Sequence, residues 1–91
     1  MSQAQDNEIL VYLTQTCPFC TMALRLLDRR SLSYDTIDVG ADRSLWKTLQ
    51  EKTGRNTVPQ VFINDHHVGG FDELEAAEAS GELEALLDQA K

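Results

Sequence analysis

Cys17 and Cys20 are the only cysteines in the chain, and two residues separate them. A loop that short removes little entropy from an unfolded chain, so bridging it stabilises little and its value is chemical. Thiol–disulfide exchange needs one sulfur to attack and another to resolve the mixed disulfide, and this spacing supplies both. The attacking sulfur must be a thiolate, whereas a free cysteine ionises only near pH ~8.5. Pro18 stands where a first helical residue is expected, because its missing N–H is one of the orphan donors there anyway. Cys17 therefore sits just before a helix, where unpaired N–H groups and the macrodipole favour a thiolate. Cys20 lies about one helical turn further in, within reach of the same sulfur and less exposed.

Two blander readings compete. A Cys-x-x-Cys pair can form half of a zinc site, but such a site needs a second pair of ligands. His66 and His67 are adjacent; on a strand their side chains diverge, which does not match the usual zinc-ligand spacing. They are expected to decorate a hairpin turn without a role of their own. Two inert buried cysteines would leave Pro18 at the helix start unexplained. Redox chemistry is the reading the residues favour.

The rest of the chain limits what such a pair can serve. With 91 residues, 42% hydrophobic and 25% charged, it has the composition and length of one soluble domain. A formal net charge of −7 argues against nucleic-acid or membrane-surface binding, both of which depend on clustered Lys and Arg. The polar start Met1–Glu8 lacks the basic-then-apolar layout of a signal peptide. The longest apolar run, Ile9–Leu13, is far too short to cross a bilayer. A monomer in the cytoplasm is expected, with residues 1–7 a flexible N-terminus and residues 8–91 the domain.

The elements that position the cysteines follow from pattern. Ile9–Leu13 is a continuous apolar run and reads as a strand buried on both faces. From Phe19 to about Arg30, Cys20, Ala23, Leu24 and Leu27 recur at helical spacing, with Arg25, Asp28 and Arg29 on the wetter side. Tyr34–Val39 reads as a second strand, and the βαβ unit makes these two strands parallel. Asp42 caps a second helix, Arg43–Thr53, which Gly54 ends. Val61–Ile63 is a third strand, and the turn Asn64-Asp65-His66 leads antiparallel into His67-Val68. After Gly69-Gly70 a helix begins near Asp72, with Asp72 and Glu75 at capping-box spacing. Ser80-Gly81 interrupts it before Glu82–Ala90. The order β-α-β-α-β-β-α, its last helix broken, predicts an α/β fold with a mixed four-stranded sheet flanked by helices.

Three segments stand out together: Cys17-Pro18-Phe19-Cys20 after a strand, Gly54-Arg55-Asn56-Thr57-Val58-Pro59-Gln60-Val61-Phe62-Ile63, and Gly69-Gly70-Phe71-Asp72-Glu73-Leu74. In this order and spacing they resemble the glutaredoxin family of the thioredoxin superfamily. The likeness runs from about Glu8 to the C-terminus and implies a thioredoxin-like fold and a glutathione-dependent thiol–disulfide oxidoreductase. It implies Cys17 as nucleophile and Cys20 as resolving cysteine, with glutathione as co-substrate. Glutathionylated or disulfide-bonded proteins are the implied partners. Phe19, Thr57, Val58, a cis Pro59, Gly70, Phe71, Asp72 and Glu73 fall where the family binds glutathione. The main chain of Val58 would pair with the cysteinyl part as an added strand does. The helix start near Gly70 would take the γ-glutamyl carboxylate, and Asp72 its amine. Helix capping is the competing role for Asp72.

Four positions depart from the family pattern: Thr14 for a frequent lysine, Trp46 for Arg or Gln, Phe19 for tyrosine, and Phe71 for a frequent cysteine. The first two remove groups that would hold the glycyl carboxylate; Arg43, Lys47 or Arg55 are the cations that could replace them. They motivate one alternative, a glutaredoxin-like redoxin reduced by thioredoxin reductase. The other alternative is a dimeric carrier holding a [2Fe–2S] cluster, which Pro18 disfavours.

Overall fold

In the computed structural model, which describes residues 8–88, strand β1 is Ile9–Leu13. Its side chains alternate between two apolar layers: Ile9, Val11 and Leu13 join one, Leu10 and Tyr12 the other. That is the two-residue period of a strand covered on both faces. β1 pairs in parallel with β2, Asp35–Asp38, and antiparallel with β3, Gln60–Ile63. β3 pairs antiparallel with β4, His66–Gly69, so the sheet runs β2-β1-β3-β4. The mixed four-stranded sheet is the one the pattern predicts.

Helices close both faces. From α1 (Pro18–Arg29), α3 (Phe71–Ser80) and α4 (Glu82–Asp88), residues Ala23, Leu26, Leu27, Leu74, Ala77, Leu83 and Leu86 pack with Ile9, Val11, Val61 and Ile63. On the other face Leu49 of α2 (Arg43–Thr53) packs with Tyr12, Val39 and Phe62. The predicted bounds of α2 hold because both ends are marked locally. Asp42 accepts the Ser44 N–H at 2.9 Å, and Gly54 takes φ 72°.

Other boundaries move. Val39 leaves the second strand for a 3₁₀ turn, Val39–Ala41, because the Asp38 carboxylate accepts the Gly40 N–H at 2.8 Å. The hairpin turn is shorter than expected: only Asn64 and Asp65 have positive φ, 51° and 68°, while His66 already pairs opposite Ile63. Two such residues give the turn whose twist matches antiparallel strands. The third helix starts at Phe71, not Asp72, with Gly70 as its N-cap. The expected Asp72–Glu75 box gives way to Glu73, whose carboxylate accepts the Gly70 N–H at 2.6 Å. Gly69 makes this possible: it sits at φ 121°, and a Cβ there would lie 2.6 Å from that carboxylate. The expected N-terminal segment 1–7, and Gln89 and Ala90 of the expected last helix, lie outside the described residues.

Candidate active site

Cys17 is the N-cap of α1, with extended backbone at φ −98° and ψ 110°. In that position its sulfur takes the place of a capping oxygen and accepts the Cys20 N–H at 3.2 Å. A donor is thus aimed where negative charge develops when the sulfur attacks or leaves. Across from it, the Cys17 S–H donates to the Val58 carbonyl, Sγ to O 3.6 Å. Cys17 is half-buried, whereas Cys20 is 2% exposed. Burial, then the hydrogen bond with Cys17, pushes the Cys20 thiol from the ordinary 9.0 up to about 12. The two sulfurs are close but unlike, one presented to solvent and one kept protonated inside the first turn.

A groove of about 180 Å³ opens beside the pair, lined by Phe19, Arg55, Thr57, Val58, Pro59, Gln60, Gly70, Phe71, Asp72 and Glu73. Every residue named from the sequence as a glutathione contact lies on it. Its floor is the loop into β3, where the Val58–Pro59 peptide is cis. Among the described residues the Val58 N–H has no intramolecular partner. One wall is the first turn of α3. There Glu73 satisfies the Gly70 N–H and meets Arg55 at 3.3 Å, which holds its carboxyl below the ordinary 4.5, the Gly70 bond being the larger cause. The N–H groups of Phe71 and Asp72 belong to the orphan donors of that turn. Asp72 is exposed and does not cap the helix. The Phe19 and Phe71 rings face each other at 6.3 Å along the groove, and Phe19 is 55% exposed.

Two residues with no predicted role lie at and behind the groove floor, Gln60 lining it and His67 reaching it through Gln60. Gln60, 1% exposed, donates to the Thr57 carbonyl at 3.1 Å and to the Thr57 hydroxyl at 3.2 Å. Its Oε1 lies 2.7 Å from Nε2 of His67, which stacks on Phe62. An amide inside the apolar run Val58–Ile63 is the signal that could have found it, since a buried amide must find partners. His67 is therefore no mere turn decoration; His66 is exposed.

The model of the glutaredoxin family matches residues 9–68. The chain belongs to the glutaredoxin family. A glutaredoxin of Pseudomonas aeruginosa is 40% identical over 79 residues, spanning 87% of this chain and 94% of the relative. Glutaredoxin 3 of Escherichia coli is 36% identical over 77 residues, 85% of this chain and 93% of the relative. The solution structure of a Brucella melitensis glutaredoxin, 42% identical, superposes with a TM-score of 0.81 over 92% of this chain and 91% of that one. A buckwheat glutaredoxin–glutathione complex, 28% identical, gives 0.85 over 94% of this chain and 81% of that one. This glutaredoxin is accordingly a glutathione-dependent thiol–disulfide oxidoreductase of thioredoxin-like fold, and its cysteine pair fits a redox-active centre.

The departures from the glutaredoxin pattern have structural addresses. Thr14 borders a separate depression with Gln15, Thr16, Asp38, Gly40 and Ala41, where no cation lies among the described residues. Trp46 is half-buried against the Tyr12–Val39–Leu49–Phe62 cluster, on which Val58 also packs. It is a packing residue. Of the three replacement cations, Arg55 lines the groove; Arg43 and Lys47 are exposed on α2 and do not.

Proposed function

We propose that Cys17 is the nucleophile with which this enzyme reduces protein–glutathione mixed disulfides and protein disulfides, with glutathione as co-substrate. The observation that carries the reading is the Cys17 sulfur 3.6 Å from the Val58 carbonyl, beside a groove whose floor includes the unpartnered Val58 N–H. An extended peptide seeks such an N–H and carbonyl, as an added strand does. The cysteinyl part of glutathione pairs there in our reading. Its γ-glutamyl carboxylate meets the Phe71 and Asp72 N–H groups, and the Asp72 carboxylate takes the ammonium. The glutathione complex of the buckwheat relative supports the same ligand.

The Cys17 thiolate attacks the glutathionyl sulfur of a protein–S–SG disulfide. A Cys17–SG bond forms, the protein–S bond breaks, and the departing protein thiolate takes a proton from water. The thiolate of a second glutathione attacks the glutathionyl sulfur, forming oxidised glutathione and returning Cys17 as thiolate. With a protein disulfide, Cys17 first forms a mixed disulfide with the protein. Cys20 then gives up its proton as it attacks the Cys17 sulfur, releasing the second protein thiol. Two glutathiones reduce the resulting Cys17–Cys20 bond. Because Cys20 is held as a thiol, it does not compete for the first step. A monomer in a reducing cytoplasm, where the glutathione pool restores the dithiol, is the setting we propose.

Steady-state exchange assays on the wild type, Cys17→Ser and Cys20→Ser test this. Cys17→Ser is expected to abolish both reactions, and Cys20→Ser to keep deglutathionylation while losing protein-disulfide turnover. Loss of deglutathionylation in Cys20→Ser would exclude the single-thiol route. Turnover driven by thioredoxin reductase and not by glutathione would favour the redoxin alternative that Thr14 and Trp46 motivate.

A further inference from the structure

Thr57 lies in the loop before β3, outside any ladder. Among the described residues its hydrogen bonds all go to the Gln60 side chain. The Thr57 carbonyl can only accept, so the amide nitrogen of Gln60 faces it and Oε1 faces away. Oε1 therefore meets Nε2 of His67 as an acceptor, and that ring nitrogen must carry a proton. The ring is in turn fixed by pairing and packing. His67 stands opposite Phe62 across the β3–β4 register, and the two rings stack with centroids 4.9 Å apart and planes at 26°. A chain of three contacts thus runs from the hairpin, through a buried amide, to the residue preceding Val58.

We propose that His67 and Gln60 are positioning residues which hold Thr57–Val58 in the conformation that receives glutathione. Neither touches the reacting sulfurs in this role. The inference rests on the glutathione reading above and adds the reason the groove floor is pre-set. Without the amide, an exposed loop residue would have to be ordered when ligand binds, at a cost in affinity.

The relay is not a pH switch. Burial first, then the charges of Arg55 from the loop before β3 and His66 on β4, hold the His67 ring below its ordinary value against Glu73 on α3, and Lys52 of α2 lies 4.8 Å from the Phe62 ring beneath it. Protonation, when it comes, occurs at Nδ1 and leaves the Nε2–H in place. The effect of breaking the relay should then be constant between about pH 6 and pH 8.

His67→Phe keeps a ring to stack on Phe62 and removes the donor; Gln60→Met keeps the length of the side chain and removes all three contacts. Each is expected to raise the KM for glutathione about fivefold, the size of one lost hydrogen bond, with kcat unchanged. The double variant should be no worse than Gln60→Met alone, since the contacts act in series. Imidazole nitrogen spectra of the wild type should show the Nε2–H tautomer, and backbone order parameters at Thr57 and Val58 should fall in both variants. An Nδ1–H tautomer, unchanged order at Thr57, or fully additive KM effects would overturn the proposal. If Gln60→Met does not fold, His67→Phe carries the same KM and order-parameter test. A wild type without glutathione turnover would instead defeat the glutathione reading, and the tautomer and order parameters would still decide the relay.

Discussion

The thiols of Cys17 and Cys20 share a helix start but not an environment. Cys17 caps α1 and faces the Val58 carbonyl, while Cys20 lies within the first turn, 2% exposed. Access and ionisation therefore favour reaction at the same sulfur. Iodoacetamide at neutral pH is expected to enter at Cys17 and leave Cys20 unmodified in the folded protein. Peptide mapping that finds the two alkylated at similar rates contradicts the burial argument. The inequality also sets an alkaline limit on stability. Cys20 is raised in the fold from 9.0 to about 12, so between these values the native state keeps a proton that the unfolded chain releases. The contribution is fully present below the unfolded value and is lost as pH rises through the folded one. Midpoints of chemical denaturation of the reduced protein should fall across that window, and Cys20→Ser should flatten the fall.

At the scale of elements, the start of α3 decides the shape of one groove wall. Glu73 reaches back to the Gly70 N–H and across to Arg55. Its carboxyl is lowered from 4.5, the Gly70 bond first among the causes, so its stabilisation is present above the ordinary value and lost as pH falls through the folded one. Glu73→Gln keeps an acceptor for the Gly70 N–H and removes only the charge. For a half-exposed group the expected loss is small, about 2–4 °C in Tm at neutral pH, vanishing on acidification. A difference in Tm that persists at low pH would mean that packing, not charge, is at work. The place of this start was legible to within a residue but its capping was not, whereas α2 was legible at both ends, because Asp42 and Gly54 mark it locally. The cap of α3 depends on a close fit, Glu73 against the bare Cα of Gly69, which spacing alone did not separate from the Asp72–Glu75 alternative. The Gln60–His67 contact was hidden for the same reason: it is made across a hairpin whose register shifts between Val61 and Phe62. The parallel β1–β2 and antiparallel β3–β4 pairings were legible from connection length and turn residues, whereas the antiparallel β1–β3 pairing, which joins the two units, was not. The groove residues came from likeness to a family, since spacing alone identifies only the cysteine pair.

Over the whole molecule, the charge of −7 acts on the co-substrate we propose, glutathione, which is itself negative, with two carboxylates and one ammonium at neutral pH. Locally little offsets it. Among the described residues Arg55 is the only cation lining the groove, and it is paired with Glu73, while Thr14 and Trp46 contribute no positive charge. The long-range field should therefore slow glutathione's approach and weaken its binding, and salt should relieve both effects. Raising ionic strength from about 10 mM, where the Debye length is about 30 Å, to about 150 mM, where it is about 8 Å, should lower the KM for glutathione by about twofold. A glutathionylated peptide rich in Lys and Arg is drawn by the same field, so its KM should rise over the same interval. Opposite signs in one titration separate this effect from a general influence of salt on the enzyme. Were the KM for glutathione to rise as well, Arg55 would be acting as a direct anchor for a carboxylate, released from Glu73 when the ligand arrives.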